Sequence, residues 1–156
     1  MKAKEIEIKD IWNDKKRDDL KEFISVHSKN QTKERLLKNK LLSIQYQLED
    51  YIQNENEGKE ILKVLDFVKM YLKVLNISKK ELAAYFEMKD SNLQKYLSGE
   101  RKLNAEIVLK LSAFSHTKPE QWFSIQIKNE LIKLKQDHEK LKSYVEKYDY
   151  RNLIEH

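Results

Sequence analysis

The sequence predicts an all-α fold, and three features of its composition carry that prediction. Glycine occurs twice and proline once in 156 residues, whereas turn-rich β folds need many of both. Charged residues make up 37% of the chain, and most are lysine or glutamate, which favour helices. Apolar residues also recur at helical spacing along most of the chain. We therefore expect long helices joined by few loops.

Residues 1–57 are predicted to form an N-terminal extension. Lys4–Lys9 alternates polar and apolar residues, which is typical of a short strand or an extended arm. Asp10–His27 and Lys33–Gln53 show helical spacing, with a polar break at Ser28–Thr32 whose last residue is a suitable N-cap. The second helix carries a stripe of apolar residues: Leu37, Leu41, Ile44, Leu48 and Tyr51. The stripe must be buried against something, and a protein partner is one solution.

The next domain is predicted over residues 58–117, after a polar linker at Asn54–Gly58. Its first helix is expected at Lys59–Leu75. Ser78–Gly99 then has the form of a helix-turn-helix. Ser78 and Glu81 make an S-x-x-E capping box, which fixes the start of a helix. Gly99 ends the second helix, because the position after a helix often adopts the left-handed conformation.

The side chains of this helix-turn-helix divide into an inner and an outer set. Those predicted to point inward are Leu82, Ala83, Phe86, Met88, Leu93, Tyr96 and Leu97. The outer face of the second helix is the candidate base-reading surface, because a helix in the major groove brings its N-terminal residues to the base edges. The candidate base contacts are Ser91, Asn92, Gln94 and Lys95. The candidate phosphate contacts are Lys79, Lys80, Lys89, Arg101 and Lys102.

Residues 118–156 are predicted to form a dimerisation element. Pro119 stands near the start, and no glycine or proline follows, so one helix is expected over Lys118–Tyr148. Its apolar residues alternate steps of three and four, which is a heptad seam able to pair with a second copy. The seam is predicted at Ile127, Leu131, Leu134, His138, Leu141 and Val145. The alternative is that it packs within the chain on the stripe of Lys33–Gln53.

Two stretches carry a resemblance to known families. Glu81-Leu82-Ala83, Asn92-Leu93 and Tyr96–Lys102 resemble the Cro/C1-type (XRE) helix-turn-helix, also called lambda repressor-like. The continuation, Asn104–Ser115 followed by Thr117–Trp122 and Gln126, resembles the end of HigA-type antitoxins. The resemblance covers about residues 61–134. It departs from the family at Glu87, where glycine is usual, and at Lys89, where serine or threonine usually caps the recognition helix.

The resemblance implies a DNA-binding repressor that acts as a dimer on a palindromic operator in double-stranded DNA. The narrower resemblance implies an antitoxin, which would neutralise a RelE-like (HigB-type) ribonuclease through the N-terminal extension. The alternatives are a regulator of the XRE family without a toxin, and a protein-interaction module with a degenerate helix-turn-helix. The acidic residues Glu87 and Asp90 favour the last of these.

Other functional classes are not indicated by the residues. The four histidines lie in separate segments, and there is no glycine-rich phosphate loop, so we expect neither an enzyme nor a cofactor. The absence of cysteine excludes thiolate metal sites and disulfides. No apolar run approaches the length of a membrane span, so we expect a cytoplasmic protein. The net charge of +5 is compatible with a polyanionic partner.

Overall fold

The fold was analysed in a computed structural model, which describes residues 14–55 and 60–155. Every regular element in these ranges is a helix, so the all-α prediction is confirmed. The predicted strand or arm at Lys4–Lys9 lies outside the described residues. The helices are α1 (Asp14–Gln53), α2 (Val64–Leu75), α3 (Lys79–Tyr85), α4 (Asp90–Ser98), α5 (Ala105–Ser115), α6 (Pro119–Gln136), α7 (His138–Lys147) and α8 (Tyr150–Ile154). None of these helices has an apolar stretch long enough to span a membrane.

Helix α1 is continuous where two helices were predicted. The predicted break at Ser28–Thr32 is wrong, and Thr32 does not cap a helix start. Its hydroxyl instead donates a hydrogen bond to the carbonyl of Ser28, one turn earlier, at 2.7 Å. A run of polar residues that contains no glycine or proline can remain helical. A threonine within it can bond its hydroxyl to the carbonyl four residues before it, as Thr32 does.

Contacts divide the chain into two units, and the division falls between Lys40 and Leu41. The first unit is described over residues 14–40 and is helical. It exposes several large apolar side chains: Leu20, Phe23, Ile24, Val26, Leu36 and Leu37. The Phe23 ring stacks on His27 with their centroids 6.0 Å apart. No hydrophobic core is described within this unit.

The second unit contains the hydrophobic core, and the end of α1 is part of it. Ile44, Leu48 and Tyr51 are buried together with the apolar residues of α2 to α6. The Tyr51 hydroxyl donates to Asn129 Oδ1 of α6 at 2.5 Å and accepts from the backbone N–H of Leu62 at 3.2 Å. The core therefore extends across the boundary predicted between residues 57 and 58, and the last part of the α1 stripe packs within the chain.

Helix α2 begins later than predicted, at Val64 and not at Lys59. Residues 60–63 are not helical, and Lys63 has an extended backbone with φ −84° and ψ 162°. The Asp66 carboxylate accepts a hydrogen bond from the Lys63 backbone N–H at 2.8 Å. This bond satisfies a donor next to the first helical turn, and it fixes the start at Val64.

The predicted helix over Lys118–Tyr148 is also wrong, because it is broken at Asp137. Asp137 has φ −88° and ψ 85°, and its carboxylate accepts from the backbone N–H of Lys140 at 3.1 Å. Aspartate readily caps a helix N-terminus in this way, so α6 ends and α7 begins at this residue. The predicted seam is divided accordingly: Ile127, Leu131 and Leu134 lie on α6, and His138, Leu141 and Val145 lie on α7.

Candidate nucleic-acid interface

Helices α3 and α4 form a helix-turn-helix whose start agrees with the sequence prediction. The Ser78 hydroxyl accepts from the Glu81 N–H at 3.1 Å, and the Glu81 carboxylate accepts from the Ser78 N–H at 2.8 Å. The predicted capping box is therefore confirmed. Of the side chains predicted to face inward, five are almost fully buried: Leu82, Ala83, Phe86, Leu93 and Leu97.

The turn between α3 and α4 is held by two backbone hydrogen bonds. The N–H of Glu87 donates to the Ala84 carbonyl, and the N–H of Met88 donates to the Ala83 carbonyl, both at 3.0 Å. Glu87 has φ +58°, so it occupies the left-handed region where glycine is favoured. The turn keeps its backbone geometry despite the glutamate, and Met88 packs against the core as predicted.

The candidate base-reading residues on α4 differ in how far their side chains are exposed. Ser91 is exposed, whereas Asn92, Gln94 and Lys95 are half-buried. Tyr96 was predicted to be buried, but it is also only half-buried. Its hydroxyl accepts from Asn104 Nδ2 at 3.4 Å, so the ring lies near the surface.

Lys79, a candidate phosphate contact, is held by two side chains of α4. Its ammonium nitrogen lies 2.5 Å from Gln94 Oε1 and 3.6 Å from Asp90 Oδ1. One candidate phosphate contact, one candidate base contact and one acidic residue are therefore joined in a single cluster. Asp90 was noted in the sequence only as an acidic residue, and nothing in the residue spacing indicated this cluster.

The other candidate phosphate contacts differ in their surroundings. Lys80 and Lys89 are exposed, and Lys89 directly precedes α4. Arg101 donates from its backbone N–H to the Lys95 carbonyl at 3.0 Å, and its guanidinium lies 5.3 Å from the centroid of the Tyr96 ring. Lys102 lies 3.8 Å from Glu130 of α6, with 80% of its side chain exposed. The ion pair weakens the positive potential that Lys102 offers, while Arg101 has no described ion pair.

Gly99 makes the bend between α4 and the segment that carries Arg101. It has φ +86° and ends α4, as the sequence predicted. Its N–H donates to the Tyr96 carbonyl at 3.3 Å. A β-carbon at this position would meet no atom within 4 Å, so the glycine is required by its backbone conformation and not by lack of space.

The segments before and after α5 are held by a cap at its start and by two side chains of α6. Asn104 caps α5 by accepting from the Ile107 N–H at 2.9 Å. The side-chain Oε1 of Gln126 accepts from the Leu103 backbone N–H at 2.6 Å, and the Trp122 indole N–H donates to the Thr117 hydroxyl at 2.9 Å. Trp122 is fully buried, so it is part of the core. Gln126 thus holds the segment before α5, and Trp122 holds the segment after it.

A comparison with protein families agrees with the helix-turn-helix described above. Residues 68–122, from α2 to the start of α6, match the family model described as helix-turn-helix. The chain carries a Cro/C1-type helix-turn-helix domain. The match supports a DNA-binding transcription regulator of the XRE type. Comparisons with curated proteins and with solved structures give no match.

Proposed function

We propose that the protein is a sequence-specific DNA-binding transcription regulator that reads its operator with α4. The observation that carries the proposal is the face formed by Ser91, Asn92 and Lys95, which is partly open to solvent and is bordered by basic residues. Leu93 and Leu97 are completely buried on the opposite face, so α4 presents its polar face in one fixed orientation. A polar helix face of this kind fits the major groove, and the surrounding cations fit the phosphates.

The double variant Asn92→Ala/Lys95→Ala tests the proposal. Each good base contact contributes about 1–3 kcal/mol of discrimination, so the variant should bind a selected site far more weakly while binding unrelated DNA almost as before. Lys142→Ala is the control, because Lys142 is an exposed lysine on α7, outside the domain. Affinity should be measured by fluorescence anisotropy at several salt concentrations, since phosphate contacts make it fall with salt. Unchanged discrimination in the double variant would mean that α4 does not read the bases.

We further propose that the regulator binds as a homodimer, because a palindromic operator presents two half-sites about 34 Å apart. The supporting observation is a series of partly exposed apolar side chains on α6 and α7: Ile127, Leu131, Leu134, Leu141 and Val145. Leu134→Glu and Leu141→Glu together should yield monomers in light scattering. Lys133→Glu and Lys142→Glu introduce the same charge at neighbouring positions and should leave the dimer intact. A dimer that survives the leucine changes would place the interface elsewhere.

A second candidate function is that of an antitoxin, which combines repression with binding of a RelE-like ribonuclease. One structural observation favours a protein partner: Phe23, Ile24 and Val26 expose more than half of their surface. Co-expression with a ribonuclease encoded beside the gene tests this function. The double variant Phe23→Ser/Ile24→Ser should no longer protect the cells from the ribonuclease, while its binding to the operator stays unchanged. Full protection by this variant would exclude Phe23 and Ile24 as contacts with the ribonuclease.

A further inference from the structure

The contact between Lys79 and Gln94 determines which atoms Gln94 presents to DNA. Lys79 is the first residue of α3, and it reaches two side chains that lie one turn apart on α4, Asp90 and Gln94. A lysine ammonium has three donors and no acceptor. The atom of Gln94 that meets it at 2.5 Å must therefore be the carbonyl oxygen. The amide nitrogen, with its two donors, is then directed away from Lys79.

Asp90 keeps Lys79 in this position. Its carboxylate lies 3.6 Å from the ammonium, and the Lys79 side chain is only 29% exposed. A hydrogen bond from a charged donor is roughly twice as strong as one between neutral groups. An unbound glutamine exchanges its oxygen and nitrogen by rotating about one bond, whereas Gln94 would first have to break the contact with Lys79.

The two purines differ in the atoms that Gln94 would have to match. Adenine offers an acceptor at N7 and a donor at N6, and a glutamine reads it by pairing its nitrogen with N7 and its oxygen with N6. Guanine offers two acceptors, N7 and O6. The Gln94 oxygen is already engaged by a cation, and that cation also repels the adenine amino group. The Gln94 nitrogen is suited to the acceptors of guanine.

We propose that Lys79 is a positioning residue that makes Gln94 select guanine over adenine. The inference rests on the proposed function, because it requires that α4 reads DNA. It also assigns Lys79 to a different task from the phosphate contact predicted from the sequence. Lys79 acts through Gln94, and Asp90 holds it there.

Selection from a random pool of duplex DNA, using the full chain, tests the inference. Gln94→Ala identifies the base position concerned, because the preference there is lost. The unaltered protein should favour guanine at this position. Lys79→Met removes the ammonium while keeping most of the stem, and it should reduce the preference for guanine over adenine by about tenfold. Lys79→Arg should retain the preference for guanine, because arginine, like lysine, has only hydrogen-bond donors.

Two further variants separate positioning from a general effect on affinity. Lys80→Met alters the neighbouring exposed lysine, and it should weaken binding to all sequences without changing the base preference. Gln94→Glu replaces the amide nitrogen by an acceptor, so the preference should move to a base that offers an amino group, cytosine or adenine. Thermal unfolding monitors the fold of each variant. If Lys79→Met unfolds, Lys79→Gln takes its place: a glutamine can offer Gln94 either a donor or an acceptor, so the preference for guanine over adenine should again fall.

The outcomes distinguish this inference from the function on which it rests. If the unaltered protein enriches no motif, the proposed function fails, and the inference fails with it. If it enriches a motif in which Gln94 reads adenine, the inference alone is refuted. A preference for guanine that persists in Lys79→Met also refutes the inference, while leaving α4 as the reading helix.

Discussion

Replacing Leu48 by alanine tests whether the end of α1 belongs to the core of the helix-turn-helix unit. Leu48 is fully buried in the cluster that also contains Phe67 and Trp122. Removing a leucine side chain from such a site usually costs about 2–5 kcal/mol, because apolar contacts are lost and a cavity remains. We expect the free energy of unfolding to fall by about 3 kcal/mol, and the melting temperature of a unit of this size to fall by about 10 °C.

The matched control is Leu37→Ala on the same stripe of α1. Leu37 is 41% exposed and belongs to the first unit, so its replacement should cost less than about 1 kcal/mol. Urea titrations followed by circular dichroism give both free energies, and DNA binding should fall only when the unit unfolds. If the two variants were equally stable, the end of α1 would not be part of the core, and the packing of Leu48 described above would be incorrect.

Three further predictions concern the limits of the unit, its pH dependence and its turns. Deleting residues 1–40 should leave a folded, DNA-binding unit, whereas deleting residues 1–58 should unfold it; a folded, equally stable shorter fragment in circular dichroism would contradict this. Burial raises the pKa of Tyr71 to about 12, above the ordinary value of 10.0, so the folded protein retains a proton that the unfolded chain loses. Stability should therefore be undiminished below pH 10 and fall by up to about 1.4 kcal/mol per pH unit towards pH 12, and urea titrations of Tyr71→Phe should lack that fall. Gly99→Ala should cost about 1–2 kcal/mol and Glu87→Gly should cost little or stabilise, since both positions have positive φ; equal losses in thermal unfolding would refute the argument.

Local chemistry made the central part of the fold predictable from the sequence. The capping box at Ser78 and the left-handed end at Gly99 depend on a few neighbouring residues, and both are present in the structure. The burial of Leu82 and Leu93 follows from helical spacing alone. The motif that ends with Trp122 and Gln126 was visible too, but its contacts with Thr117 and Leu103 were not.

The failures concern choices that depend on competition between neighbouring groups. Thr32 was a good N-cap by residue type, yet its hydroxyl bonds to Ser28 and the helix continues. Asp137 lies in a stretch without glycine or proline. Its carboxylate nevertheless accepts a hydrogen bond from the Lys140 N–H and caps a new helix, so the predicted single helix is divided into α6 and α7. The cluster around Lys79 needs two helices at a known distance, and a single sequence does not give that distance.

The reach of Lys79 from α3 to α4 has a consequence for protein engineering. Grafting the outer residues of α4 alone into another domain would leave Gln94 without the cation that orients it. Conversely, a foreign helix placed here would lack the two side chains, Asp90 and Gln94, that contact the Lys79 ammonium. An exchange designed to change the proposed specificity should therefore move α3 and α4 together with the turn between them, because Lys79 of α3 contacts two side chains of α4.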